Sequence, residues 1–319
     1  MKLGPLSLDE SISPYLIAEI GLCHNGNVEL AKQLIYESFL SGASIIKLQK
    51  RSPTDLMTSE MLENKFLKFP TVGNNQNAVR NFVELSFNEY KVLFDYAHSL
   101  GMKTCCTAFD IKSLDFLSKL ECDFIKIASH SASNIILIYK VIETGLPFFI
   151  SLGALKLEEK NFLVNNVLPK DNCAVFHCVS EYPSSSNNQY LDSITEIKNQ
   201  QLIPGFSTHE NGYHASVIAS FLGARFIERH ISLSNASIGF DHSISMEPKE
   251  FAEMSMAIKT AYQMRGNKNI VINQEMPARE NYHSGLYAKQ SHPAGYQLTL
   301  SDLVALQPLG SKPKSLSGI

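Results

Sequence analysis

Two lysines interrupt strand-like apolar runs in this chain, Lys47 within IIKLQ and Lys126 within FIKIAS, and two histidines, His209 and His230, end two later runs. A lysine rarely sits in a protein interior unless it is paired, because a buried charge must be compensated. Two accounts are open. One is a structural partnership with Glu19 or Glu228; the other is a dianionic ligand held between the two ammonium groups, with Thr107, Ser129, Ser151 and Ser207 supplying hydroxyls. Phosphate calls for that mixture of cationic and neutral donors. Neutral imidazoles suit divalent transition metals, and His209 with His230 can converge on one, with Glu19 and Asp241 as candidate helpers. Taken singly, the other histidines read as structural: His177 as a packed barrel residue, and His98, His214, His283 and His292 as surface positions.

Eight short strand candidates must position these groups, at 15–21, 44–49, 103–107, 124–129, 148–153, 174–180, 204–207 and 225–231. Amphipathic stretches such as VELAKQLIYESFLSG, FNEYKVLFDYAHSLG and HASVIASFLG alternate with them, and several end in a glycine suited to close a helix (Gly42, Gly101, Gly145, Gly223). This rhythm predicts an α/β fold, a closed (β/α)8 TIM barrel. No G-x-G-x-x-G follows the first strand, which argues against a Rossmann sheet. Barrel enzymes carry their chemistry at the C-terminal strand ends. Those ends here hold Glu19, Lys47, Gln49, Thr107, Lys126, Ser129, Ser151, Ser180, Glu181, Tyr182, Ser207, His209, Glu228 and His230.

Composition narrows the function classes. A formal net charge of −3 gives no footing for nucleic-acid or membrane-surface binding. The N-terminus breaks its apolar character at Gly4, Pro5, Asp9 and Glu10, and no apolar run is long enough to cross a bilayer. The six cysteines show neither a C-x-x-C pair nor a disulfide framework, so reduced thiols in a cytoplasmic protein are expected.

Residues 55–79 read as a long patternless loop, the kind that forms a lid. The last barrel helix is expected over 248–265. The domain reading is a barrel over 1–266, a linker over 267–281 and a small β module with an unfolded tail over 282–319, its two short strands flanking Pro293–Gly295.

IAEIGLCHNG, IIKLQ, CTAFD, FIKIAS, FISLGA, FHCVSEYP, GFSTHENG and FIERHISLSNASIGFDHSISMEP occur in the order seen in sialic acid synthases, and over residues 14–308 the chain resembles that family of phosphoenolpyruvate (PEP)-condensing nonulosonate synthases. The resemblance implies a barrel with a C-terminal antifreeze-like (SAF) module, a homodimer in which that module reaches a partner's active site, and dependence on Mn²⁺ or Mg²⁺. It implies that PEP meets Lys47, Thr107, Lys126, Ser129, Ser151 and Ser207. Gln49, Ser180 and Tyr182 would shape the pocket, His209 and His230 hold the metal, and Glu19 and Asp241 handle the sugar and its protons. The acceptor implied is an open-chain N-acetylated hexosamine such as N-acetylmannosamine.

Four places depart from the family pattern: Ser131 where relatives carry a glutamate, Thr208 in place of the aspartate of Ser-Asp-His, Gln307 in place of an arginine, and a shortened module. A serine is a poor base near neutral pH, so Glu19, Glu181 or metal-bound water would take that role. Two alternatives accompany the leading reading. One is a PEP synthase for another, phosphorylated aldose, which would want extra arginines; of the six here (Arg51, Arg80, Arg225, Arg229, Arg265, Arg279) only Arg229 lies in a strand-end motif, and its alternation with Glu228 and His230 points it outward. The other is a catalytically weakened homologue that binds PEP or metal as a partner subunit.

Overall fold

Eight parallel strands close into a barrel: β1 (Tyr15–Gly21), β2 (Ile45–Lys50), β3 (Lys103–Ala108), β4 (Phe124–Ile127), β5 (Phe148–Ser151), β6 (Cys173–Cys178), β7 (Ile203–Ser207) and β8 (Phe226–His230), with β8 pairing back onto β1. The expected TIM barrel is therefore present, with strand ends within a residue or two of expectation. The computed structural model describes residues 2–9, 11–66, 69, 72–266 and 273–308. The C-terminal tail expected to be unfolded lies outside them.

A parallel sheet covered by helices is buried on both faces, so its strands read as near-continuous apolar runs. Outward residues such as Ala18, Ile46, Ile125, Ile150 and Ile227 pack against the helix layer. The helices start at local caps. The Asn27 side chain accepts from the Leu30 N–H at Val28–Leu40, and Ser86 with Glu89 forms a reciprocal capping box at Phe87–Ser99. Gly223 ends His214–Leu222 with φ 116°, a conformation that a side chain would strain.

Inward residues form layers. Ile17, Ile45, Cys105, Phe124, Phe149, Ala174, Phe176, Ile203 and Phe226 make the lower one, with Phe124 and Phe149 stacked at 4.7 Å between ring centres and Phe149 and Phe226 tilted at 4.8 Å. Beneath it lies a feature that the sequence did not suggest. An N-terminal hairpin, Lys2–Leu3 with Leu6–Ser7, inserts Leu3, Leu6 and Leu8 into the same cluster and closes that end of the barrel.

The segment 55–79 is not patternless. It begins within a proline-started turn of helix, Pro53–Leu56, and contains Ser59–Glu63 and the start of Gln76–Val83, the last capped by Asn75. Val79 and Val83 pack with Leu22 and Phe240, joined by Phe66 and Phe69, so the excursion is tied down over the C-terminal end of the barrel. Arg229 does point out of the barrel but not into water. It is 2% exposed, its Nη1 3.2 Å from Glu210 Oε1, and it donates to the Gly212 carbonyl at 2.6 Å.

By its contacts the chain forms two units, Met1–Arg265 and Gly266–Ile319. The second contains a short helix, Met276–Tyr282, which begins within the span read as linker and ends one residue beyond it, and an antiparallel pair, β9 (Gly285–Ala288) and β10 (Leu303–Leu306). Within it Gln307 donates to the Tyr282 carbonyl. Among the described residues, no helix is long and apolar enough to cross a membrane.

Candidate active site

Above the aromatic layer the barrel interior turns charged. Period-two alternation puts Glu19, Lys47, Lys126 and Glu228 inward, and the register sets Glu19 opposite Lys47. Lys47 Nζ lies 3.1 Å from Glu19 Oε2 and 3.1 Å from Glu228 Oε1, and donates to Thr107 Oγ1 at 3.3 Å. Lys126 Nζ lies 3.3 Å from Glu228 Oε2, without hydrogen-bond geometry, and 3.7 Å from the centre of the Phe176 ring. Ser207 donates to Glu228 Oε1 at 3.0 Å, and Gln49 donates to Glu19 Oε1 at 2.6 Å.

The two carboxylates are pushed in opposite directions. Burial pushes Glu228 up, but Lys126 and Lys47 outweigh it and hold the carboxyl well below the usual range. Burial dominates at Glu19 and raises it, against the pull of Lys47 and His230. The lysines also differ. Burial disfavours the Lys47 charge, yet Glu19 and Glu228 together raise its pKa; for Lys126 burial wins over Glu228 and, with repulsion from Lys47, lowers it. Divergent environments of this kind separate proton carriers from fixed charges.

A cavity of about 260 Å³ opens above these groups. Its walls include Glu19, Lys47, Gln49, Thr107, Lys126, Ser129, Ser151, Tyr182, Ser207, His209, His230 and Asp241, so one space gathers all of the residues assigned to substrate, metal or proton handling except Ser180 and Glu181. Ser180 is exposed, and its hydroxyl meets Ser129 Oγ at 2.9 Å. Glu181 is drawn away, accepting from the Ser185 N–H and the Asn188 side chain, each at 3.1 Å. It therefore cannot replace a base in the cavity, as the sequence had allowed. Ser131 is buried in a short turn of helix, Ser129–Ser131, and is not in the cavity wall. Each lysine has the carboxylate partner that the structural account expected, and both also line the open cavity.

His209 and His230 approach with ring centres 5.3 Å apart, and the Tyr182 ring lies 4.0 Å from that of His209. Burial, with repulsion from His230, lowers His209 to about 3 and keeps it neutral. Nδ1 of each imidazole is buried with no hydrogen-bond partner among the described residues. Thr208 does not supply one, since its hydroxyl donates to Gln189 Oε1. Among the described residues, no group of three or more His, Cys, Asp or Glu side chains could hold a metal ion. Two imidazoles with unpartnered nitrogens fit a divalent ion as a two-point anchor, leaving positions for water and substrate oxygens.

Sequence reasoning missed two arginines. Arg51 and Arg80 also line the cavity, with Phe109, His130, Phe240, Leu56 and Met57. Arg51 was within reach of the pattern, because 47, 49 and 51 share one strand face. Arg80 had no such signal, since it arrives on the excursion helix.

Residues 34–270 match the NeuB family. The chain is 30% identical to the N-acetylneuraminate-9-phosphate synthase of Drosophila melanogaster, a match covering 91% of this chain and 86% of that protein. It is 29% identical to the N,N'-diacetyllegionaminic acid synthase of Legionella pneumophila, covering 97% and 90%. Among solved structures it resembles an N-acetylneuraminic acid (sialic acid) synthetase from Leptospira borgpetersenii serovar Hardjo-bovis in complex with citrate, with a TM-score of 0.73 at 26% identity, covering 87% of this chain and 94% of that one.

Proposed function

Because the chain belongs to the NeuB family, we propose that it condenses phosphoenolpyruvate with an open-chain N-acetylated hexosamine, N-acetylmannosamine or a relative, to give a nonulosonic acid and phosphate. The observation that carries this reading is the opening of Lys47, Lys126, His209 and His230 into one cavity.

Lys47 and Lys126 receive the carboxylate and phosphate of PEP, with hydroxyls from Thr107, Ser129, Ser151 and Ser207 completing the donor set. The site is preorganised for this, since Glu228 already fixes both ammonium groups. His209 and His230 would hold Mn²⁺ or Mg²⁺, which when bound supplies a Lewis acid for the aldehyde oxygen. Carbon three of PEP attacks the aldehyde carbon, and the aldehyde oxygen takes up a proton to become a hydroxyl. Water adds at carbon two and loses a proton, and the tetrahedral intermediate expels phosphate to leave a 2-keto-3-deoxy acid. Glu19 is the proton-handling group. Its raised carboxyl and its contact with Lys47 support that role, and Glu181 is turned away. Asp241 and Tyr182 face the sugar from the cavity mouth, and Gln49 fixes Glu19. Antiparallel β9 and β10 would serve a SAF-like module in a homodimer, and the absence of membrane-length helices among the described residues is compatible with a cytoplasmic setting.

The test is direct. Protein, PEP, Mn²⁺ and a panel of N-acetylated hexosamines are mixed, and phosphate release is followed alongside product mass. Sugar-dependent phosphate with a product of the summed mass supports the reading. PEP binding without turnover across the panel rejects it in favour of a binding subunit, and phosphate released without sugar means a PEP hydrolase.

A further inference from the structure

Arg51 and Arg80 are held by ring faces more than by carboxylates. The Arg51 guanidinium carbon lies 4.4 Å from the centre of the Phe109 ring, and that of Arg80 lies 4.5 Å from Phe240 and 5.5 Å from Phe66. A guanidinium stacked on an aromatic face keeps its in-plane N–H donors at the edge, free to fork onto an oxyanion. Arg51 is 5% exposed, and its Nη1 is buried with no hydrogen-bond partner among the described residues. Its Nη2 donates to Gln49 Oε1, and its one carboxylate contact among the described residues, to Glu84, is a long 4.0 Å. Glu84 is already engaged by Lys50 at 2.8 Å. Arg80 has no ion pair among the described residues; its side chain donates only to Gln76 Oε1, at 3.3 Å.

This wall of the cavity thus brings together Arg51 and Arg80, while Glu84, behind the lining, is taken up by Lys50, and Asp241 stands further along the lining. Burial and then repulsion from Arg51 lower Arg80 to about 10, against the pull of Asp241 and Glu84. The excess positive charge is therefore held at a cost within the fold, and a ligand anion would relieve it. It stands on the β2 and β3 side, whereas His209 and His230 belong to β7 and β8. PEP's two anionic groups are already served by Lys47, Lys126 and the hydroxyls.

We propose that Arg51 and Arg80 form a second anion subsite, which takes a phosphate monoester on the acceptor sugar at the end remote from its aldehyde. The inference rests on the PEP-condensing reading and deepens it, by assigning the chain a phosphorylated rather than a neutral acceptor. It also reverses the expectation from sequence that too few arginines stand near the strand ends to recognise one.

The experiment compares kcat/KM for an N-acetylhexosamine and for its 6-phosphate ester, in the native protein and in R80M, R51M and R80K. The native protein should favour the ester, and R80M or R51M should lower the ester-to-neutral ratio roughly 10- to 100-fold, the worth of a charge-assisted hydrogen bond or two. R80K, which keeps the charge and loses the fork, should recover only part of it. A uronic acid acceptor, with a carboxylate at the same end, separates a phosphate site from a general anion site: use equal to that of the ester overturns the phosphate assignment. A ratio unmoved by every substitution overturns the subsite, and so does a rise in KM for PEP with the acceptor ratio constant, which would give the arginines to PEP. Absence of turnover with any acceptor would instead strike the PEP-condensing reading, and titration calorimetry of the ester against native protein and R80M would still decide the subsite.

Discussion

Lys126 Nζ lies 3.3 Å from Glu228 Oε2, and among the described residues Glu228 is its only ion-pair partner. The same carboxylate holds Lys47 through its other oxygen. One acid therefore spaces two bases across the barrel, and the spacing of the ammonium groups is set before any ligand arrives.

Lys126→Met should separate activity from stability. The burial penalty on Lys126 exceeds what Glu228 returns, so its pKa is lowered in the fold and its charge costs stability at neutral pH. Replacing it with an apolar side chain of similar length removes that cost while Glu228 keeps Lys47. PEP-dependent phosphate release should fall at least about 100-fold, and the melting temperature should stay level or rise. A variant that turns over normally would remove Lys126 from the site.

Adding Mn²⁺ should raise the melting temperature of the native protein, because an ion that binds only the folded state stabilises it by about 2.7 kcal/mol at a hundredfold excess over its Kd. His209→Ala and His230→Ala should each abolish most of that rise. Thermal melts across an Mn²⁺ titration check it without recourse to turnover. An undiminished shift in both variants would move the metal elsewhere.

The buried Arg229–Glu210 pair behind β8 should be a stability element. Glu210→Ala strands a guanidinium that is 2% exposed, and breaking such a pair typically costs about 3–5 kcal/mol. Urea unfolding should report that loss, and Glu210→Gln, which keeps an acceptor, should lose less.

Asp123 predicts an acid-side effect. Burial works against its charge, but the Thr104 N–H at 2.8 Å, the His98 ring at 2.7 Å and Lys103 outweigh it and hold the carboxyl below its ordinary 3.8. Its contribution is then complete above that ordinary value and is lost as the pH falls through the lower folded one. Asp123→Asn should be less stable than the native protein at neutral pH, and the gap should close below about pH 4. Chemical unfolding at stepped pH measures the gap; a constant difference down to pH 2 would contradict the assignment.

The barrel was legible because its strands are short apolar runs that each end in a polar cluster, and period two alone determines that Lys47, Lys126, Glu228 and His230 face inward. The same rule turned Arg229 outward correctly, yet could not say that the helix His214–Leu222 and its leading loop would cover it. The excursion was illegible because helices of four and five residues leave no 3.6-residue period to detect. Arg80 and its aromatic partner Phe66 were lost with it. The N-terminal hairpin was lost for the same reason, its strands being two residues each.

That hairpin and the ring layer above it make the barrel a blind tube. Leu3 and Phe149 are completely buried across its base, while Tyr182 is 54% exposed at the rim. With Lys126 near the bottom and the base closed, two reactants have to queue. Whichever one sits on the lysines goes in first and is trapped by the second, and kinetics should show an obligatory sequence of addition.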